Sequence, residues 1–127
     1  MKKLSGVLSI IFVLMCFCSC SKTVWPPYIQ EIEITDQKGT VEKKGQNYLT
    51  TITCSVQNNS GETRNNIILT GRALNENNAK LAEKDYIITK IENKEKIFVE
   101  IVVDSGKHYP EKYNIQFSEA NKIKIIS

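Results

Sequence analysis

At 127 residues, 41% hydrophobic and 24% charged, the chain has the size and composition of one modest domain. Seventeen Lys and Arg against fourteen Asp and Glu leave a formal charge of +3, which builds no basic field for nucleic acid. A single histidine, His108, excludes a two-His metal site and a conventional nucleophile–His–acid triad.

In chain order, the first element is a targeting segment. Lys2 and Lys3 precede a stretch from Leu4 to Phe17 that is apolar apart from Ser5, Gly6, Ser9 and Cys16, the layout of a secretory signal. A spanning helix needs about 20 predominantly apolar residues. Here the run breaks into Cys18-Ser19-Cys20-Ser21-Lys22, so cleavage is expected rather than retention. Phe17-Cys18-Ser19-Cys20 resembles the lipobox of bacterial lipoproteins, in which a small residue precedes a Cys that is acylated and becomes the first residue of the mature chain. Cys20 takes that position and Ser19 the small one; Phe17 stands where Leu is usual. The competing register ending at Cys16 places bulky Met15 before the cut. A thiolate is the nucleophile the lipid transfer requires, and two acyl chains hold a protein on a membrane where one is marginal.

The resemblance therefore implies a lipid-anchored protein outside the cytoplasm, on the cell membrane or the outer membrane, with lipidation at Cys20. Its organisation is a signal peptide at 1–19, a lipidated N-terminus and short Pro-containing tether at 20–28, and a β-sandwich at 29–127. Cleavage removes Lys2 and Lys3, which lowers the charge from +3 to +1, and removes Cys16 and Cys18. With Cys20 blocked by lipid, Cys54 is the one thiol left, and the domain has to stand on an ordinary core instead of disulfides. Pro26-Pro27 reads as a stiff extended spacer with no room for a helix. For Trp25 two placements stand open: at the lipid interface, or folded back over the sandwich edge.

From Ile29 on, apolar residues recur with period two, and no stretch carries a helical stripe. A first strand with Gln30, Ile32 and Ile34 on one face is expected to end at Asp36-Gln37-Lys38-Gly39, with a further turn at Lys43-Lys44-Gly45. The clearest strand runs Tyr48 to Gln57, its core face formed by Tyr48, Thr50, Ile52, Cys54 and Val56. A turn at Asn58-Asn59-Ser60-Gly61 leads to a strand with Ile67, Leu69, Gly71 and Ala73 inward, which stops at Asn75-Glu76-Asn77-Asn78. Two short strands follow, about Lys80 to Ala82 and Asp85 to Thr89, then a polar loop from Glu92 to Lys96. Ile97, Val99, Ile101 and Val103 alternate with Phe98, Glu100, Val102 and Asp104; Tyr113, Ile115 and Phe117 alternate with Asn114, Gln116 and Ser118; and Ile123 and Ile125 alternate with Lys122 and Lys124. Seven or eight short antiparallel strands in about 100 residues predict an all-β, immunoglobulin-like sandwich.

Within that pattern, Cys54-Ser55-Val56-Gln57-Asn58-Asn59-Ser60-Gly61-Glu62-Thr63, Asn66-Ile67-Ile68-Leu69, Asn75-Glu76-Asn77-Asn78 and Glu95-Lys96-Ile97-Phe98-Val99-Glu100-Ile101 resemble the FxLYD type of bacterial immunoglobulin-like domain. The name-giving motif is degenerate: Gly71-Arg72-Ala73-Leu74-Asn75 stands in its place. The resemblance implies the sandwich and little about role, because this fold hosts many unrelated activities.

No residue set invites catalysis, a metal or a cofactor. His108 falls in a loop, Gly106-Lys107-His108-Tyr109-Pro110; Cys54 alternates with core residues; Glu31 and Glu33 are an isolated i, i+2 pair. Interspersed lysines at 90, 94, 96, 107, 112, 122 and 124 read as edge protection, with Lys122 and Lys124 able to face anionic headgroups as a secondary reading. The expectation is a noncatalytic binding or assembly module that meets a protein partner at the envelope through loops such as Asn58–Asn66 and Gly106–Glu111. The alternative is a structural envelope component, or an accessory of a larger lipoprotein complex, that pairs a sheet edge with a neighbour.

Overall fold

The structure, a computed structural model, describes residues 21–126. Eight strands lie among these residues: β1 (Ser21–Val24), β2 (Ile32–Lys44), β3 (Asn47–Asn58), β4 (Arg64–Leu74), β5 (Lys80–Ile91), β6 (Lys96–Asp104), β7 (Lys112–Phe117) and β8 (Ile123–Ile126). Two 3-10 turns, Pro27–Glu31 and Glu119–Asn121, complete the set. The chain forms two compact units, one spanning Pro27–Asn121 and a smaller one that contains β1 and β8.

The larger unit is an all-β, immunoglobulin-like sandwich. One antiparallel sheet has the order β2-β3-β6 and the other β5-β4-β7. Alternation puts Ile52, Cys54 and Val56 of β3 and Val99, Ile101 and Val103 of β6 on the inner face of the first sheet, facing Ile67, Leu69 and Ala73 of β4 and Ile115 of β7. Register is strongly specified here, because a one-residue slip would turn each of these side chains to water. The expected β3 and β4 core faces are the observed ones, except that Tyr48 is half-buried; on β6 the buried set is Val99, Ile101 and Val103, with Ile97 half-buried. Gly71 sits at a close approach of the two sheets: a Cβ on it would lie 2.9 Å from Ile101 Cγ2.

Three segments differ from the sequence reading. Asp36-Gln37-Lys38-Gly39 does not end a strand; β2 continues to Lys44, and the pairing with β3 shifts between Thr35 and Lys38 as a bulge, with Asp36 at φ 55°. Turn-forming residues supply the left-handed position a bulge requires as readily as a turn. The bulge aims Gln37 at the free edge of β7, where its amide accepts from Ile115 N and donates to Ile115 O, both at 3.1 Å. One side chain thus replaces two ladder bonds and blunts an edge. Gln37→Ala is expected to lower stability by about 1–3 kcal/mol through those two part-buried backbone groups, read from the urea midpoint; an unchanged midpoint would show that water serves them equally well.

The two short strands expected around Lys80–Ala82 and Asp85–Thr89 are one strand, Lys80–Ile91. Its charged centre faces solvent and the ladder passes through it, with Gly71 opposite Lys84 and Arg72 opposite Glu83. Arg72 and Lys80 flank the Glu83 carboxylate at 3.1 and 3.0 Å, and the Lys80 hydrogen bond foremost holds its pKa below the usual value.

The stretch read as a spacer, Ser21 to Tyr28, is structured: Ser21–Val24 pairs with Ile123–Ile126, and Pro27 opens a 3-10 turn. Proline suits a first helical position because its fixed φ is already correct and its missing N–H has no partner to lose. Ile123 and Ile125, read as the sandwich's last strand, belong instead to this ribbon. A partner at the other end of the chain leaves no mark on local periodicity.

Candidate functional site

Cys20, the expected lipidation residue, lies outside the described residues. Among the described residues, no helix is long and apolar enough to cross a membrane, and no group of three or more His, Cys, Asp and Glu is placed to hold a metal ion.

The two loops expected to make contacts stand at opposite ends of β3. Tyr48 N donates to Gly106 O at 2.8 Å at one end, and Asn58 N donates to Glu95 O at 3.0 Å at the other. Ten residues of strand separate Tyr48 from Asn58, a distance of about 33 Å, so the loops cannot form one site.

The Asn58 end is tied down. The fully buried Asn58 side chain donates to Glu62 O (2.7 Å) and Ile91 O (3.0 Å) and accepts from Ser60 N (3.0 Å) and Ser60 Oγ (2.6 Å). Its own carbonyl accepts from Lys94 N, and Gly61 N donates to Asn93 Oδ1, so the β3–β4 and β5–β6 connections are clamped together. Arg64 stacks its guanidinium over the Tyr28 ring at 4.2 Å while donating to Ser60 Oγ. All four hydrogen-bonding positions of the Asn58 amide are filled from within the fold, which braces this end of the sandwich.

The other end has a cleft. Gly39, Val41, Thr50, Tyr109, Pro110, Glu111, Lys112 and Tyr113 enclose about 140 Å³ beside the β6–β7 connection. Ser105 fixes that connection: its N donates to Tyr48 O, and its Oγ to His108 O at 2.8 Å. Tyr109 meets Tyr48 edge to face, with ring centroids 5.2 Å apart. The Tyr113 ring lies against Gly39, where any Cβ would strike it. Tyr109 and Tyr113 are both exposed, and the buried Thr50 Oγ1 beneath makes no hydrogen bond within the described residues. Sequence patterning assigned Thr50 and Tyr113 to strand faces, and Gly39 to a turn. Only the β2–β3–β6 register joined to the fold of the β6–β7 loop assembles them.

The remaining candidates are dispersed. His108 is an exposed loop residue. Glu31 ends the first 3-10 turn and Glu33 lies on β2, both exposed. Cys54 is buried between core neighbours, and desolvation pushes its thiol up to about 11, away from the thiolate a nucleophile needs. Cys54 is expected to resist alkylation near pH 8 in the native protein and to react once urea unfolds it; equally fast labelling of both states would place it at the surface.

The ribbon has its own character. Its register sets Lys22 opposite Ile125 and Val24 opposite Ile123, so these four share one face. Ile123, Ile125 and Trp25 are 47%, 40% and 41% exposed, and Lys122 Nζ lies 5.1 Å from the centre of the Trp25 ring. Trp25, left open between two placements, is thus part of an exposed aromatic and basic surface.

No protein-family model matches the chain, and no curated protein matches it. Among solved structures, a β-glucuronidase from glycoside hydrolase family 2 superposes with a TM-score of 0.60 at 16% identity, over 74% of this chain and 12% of that one. The likeness is one of fold. It joins this chain to a β-sandwich portion of a much longer protein and carries no catalytic residue with it.

Proposed function

We propose that the chain is a lipoprotein anchored through acylated Cys20, whose sandwich, of the FxLYD type, is a noncatalytic binding or assembly module outside the cytoplasm. The observation that carries this reading is the run of Lys2-Lys3, an apolar stretch and Phe17-Cys18-Ser19-Cys20, because a thiol at that position behind such a segment has a specific chemical use. The cleft between Tyr109 and Tyr113 supports the binding role: it is concave, aromatic-walled and floored by a buried hydroxyl. Its small volume suits a side chain of a protein partner better than a whole substrate.

Mass spectrometry of the N-terminal peptide tests the anchor. A diacylglyceryl-modified Cys20 is the expected species, and Cys20→Ser is expected to leave an uncleaved, unacylated precursor. An unmodified mature N-terminus at another residue would refute the anchor. For the binding role, a photo-crosslinker at Tyr109 is expected to capture one defined envelope protein that the same probe at Lys84 does not; equal capture at both positions would count against the cleft.

A second reading, a structural component joined edge to edge with a neighbour, draws on β6. Within the described residues β6 is an edge strand, laddered to β3 alone, and it presents Phe98 at 69% exposure. Edge strands of this kind add strands from other chains. A strictly monomeric protein at high concentration, with no partner-induced ordering, would argue against it.

A further inference from the structure

The geometry points to the β1–β8 ribbon as a lipid-contact surface that favours anionic headgroups, an inference that rests on the anchor reading above. Three features of the ribbon converge. The first is position: β1 begins at Ser21, immediately after Cys20. A strand rises about 3.3 Å per residue, so lipid on Cys20 would hold Lys22, two residues on, within the Debye length of about 8 Å over which surface potential acts.

The second is exposed apolar surface. Ile123, Ile125 and Trp25 are partly open to water although they belong to the same two-stranded unit. Such a ribbon buries little by itself, and an interface that takes up aliphatic side chains along with an indole stabilises it. Tryptophan suits that level of a bilayer, since its ring is apolar and its N–H stays wet.

The third is charge. Residues 21–26 and 122–126 hold Lys22, Lys122 and Lys124 and not one Asp or Glu, although acids almost balance bases over the whole chain. Lysines next to an apolar patch extend their stems along it and keep the ammonium in the headgroup layer. Lys122 already holds its ammonium over the Trp25 ring. The positive charge of Lys22 and Lys124 at the attachment point fits an anionic lipid and would be indifferent to a zwitterionic one.

Trp25 is the chain's only tryptophan, so its emission reports on this surface alone. The protein as processed in the cell is reconstituted into vesicles of phosphatidylcholine, with or without phosphatidylglycerol, and intact mass gives the state of Cys20. With phosphatidylglycerol present, Trp25 emission is expected to shift to the blue, to be quenched by brominated acyl chains and to lose most of its acrylamide accessibility; raised salt should partly reverse all three. Lys22→Gln and Lys124→Gln should each shift the docked-to-undocked ratio about fivefold while leaving Trp25, Ile123 and Ile125 in place and the melting of the sandwich unchanged.

Acylated protein whose Trp25 stays water-accessible on anionic vesicles would overturn the proposal while leaving the anchor intact. Unacylated protein would refute the anchor; the same chain added to anionic vesicles at low salt is then still expected to show Trp25 quenching, and its absence would overturn the ribbon's role separately. Burial of Trp25 that depends on protein concentration in the absence of lipid would assign the surface to a second copy, and would also overturn the proposal.

Discussion

Asn58→Ala is expected to destabilise the sandwich by about 3 kcal/mol, far more than its polar character and place in a turn suggest. The side chain donates two hydrogen bonds and accepts two, and none of its surface is open to water. Truncation takes the side-chain donor from the buried Ile91 carbonyl, with about 1–3 kcal/mol lost for a buried group left without a partner, and leaves the part-buried Glu62 carbonyl with only the longer bond from Ser60 Oγ at 3.2 Å. It also frees Ser60, which in turn receives the hydrogen bond from Arg64 Nε. In a unit of this size about 3 kcal/mol lowers the melting temperature by roughly 12–24 °C. Asn58→Asp separates the two halves of the amide: the acceptor bonds to Ser60 survive and both donor bonds are lost, so it is expected to recover only a minor part of the loss. Differential scanning calorimetry of the three proteins checks this, and a melting point for Asn58→Ala within a few degrees of the parent would mean that water replaces the amide.

Leu69→Ala should cost about 2–5 kcal/mol, the range for a buried leucine whose surroundings only partly collapse. Leu69 is fully buried on the central strand of its sheet, with Tyr86 and Phe117 as its cross-strand neighbours. Both neighbours are held in register by backbone ladders, which limits how far they move into the space. Domains of this kind have about 5–15 kcal/mol in total, so the variant is expected to fold with a clearly lower urea midpoint and an unchanged m value. A loss within about 0.5 kcal/mol, typical of surface positions, would show that Leu69 does not pack in the core. Both substitutions leave the ribbon and Cys20 untouched. Trp25 quenching and N-terminal mass are therefore expected to persist in any fraction that remains folded.

The contrast between the two residues bears on what could be read in advance. Leu69 was legible because alternation of period two marks an inner face whatever the rest of the chain does. The same pattern placed Ile52, Cys54, Val56, Ile67, Val99, Ile101, Val103 and Ile115. Asn58 was legible only as a turn residue. Its burial depends on Ile91 O arriving from another strand, a contact across 33 residues with no local signature. Gln37 was misread for a related reason: Asp-Gln-Lys-Gly has turn chemistry, and only the β7 edge at Ile115, 78 residues away, turns it into a bulge with an edge-capping amide. The cleft follows the same logic, since Gly39, Thr50 and Tyr113 meet through pairing and loop closure.

By itself, then, the sequence determined the features whose physics is local: an all-β sandwich, its inner faces and the inward thiol of Cys54. Side-chain period and the chemistry of a short motif act over a few residues, so one dimension suffices. Tertiary structure alone decided that Ser21–Val24 pairs with Ile123–Ile126, that Lys80–Ile91 is one strand, that Asn58 and Gln37 serve the backbone, and that the two contact loops stand at opposite ends of β3. Each of these depends on hydrogen bonds between residues far apart in the chain, where the energy lies in the meeting of two segments and neither carries it alone.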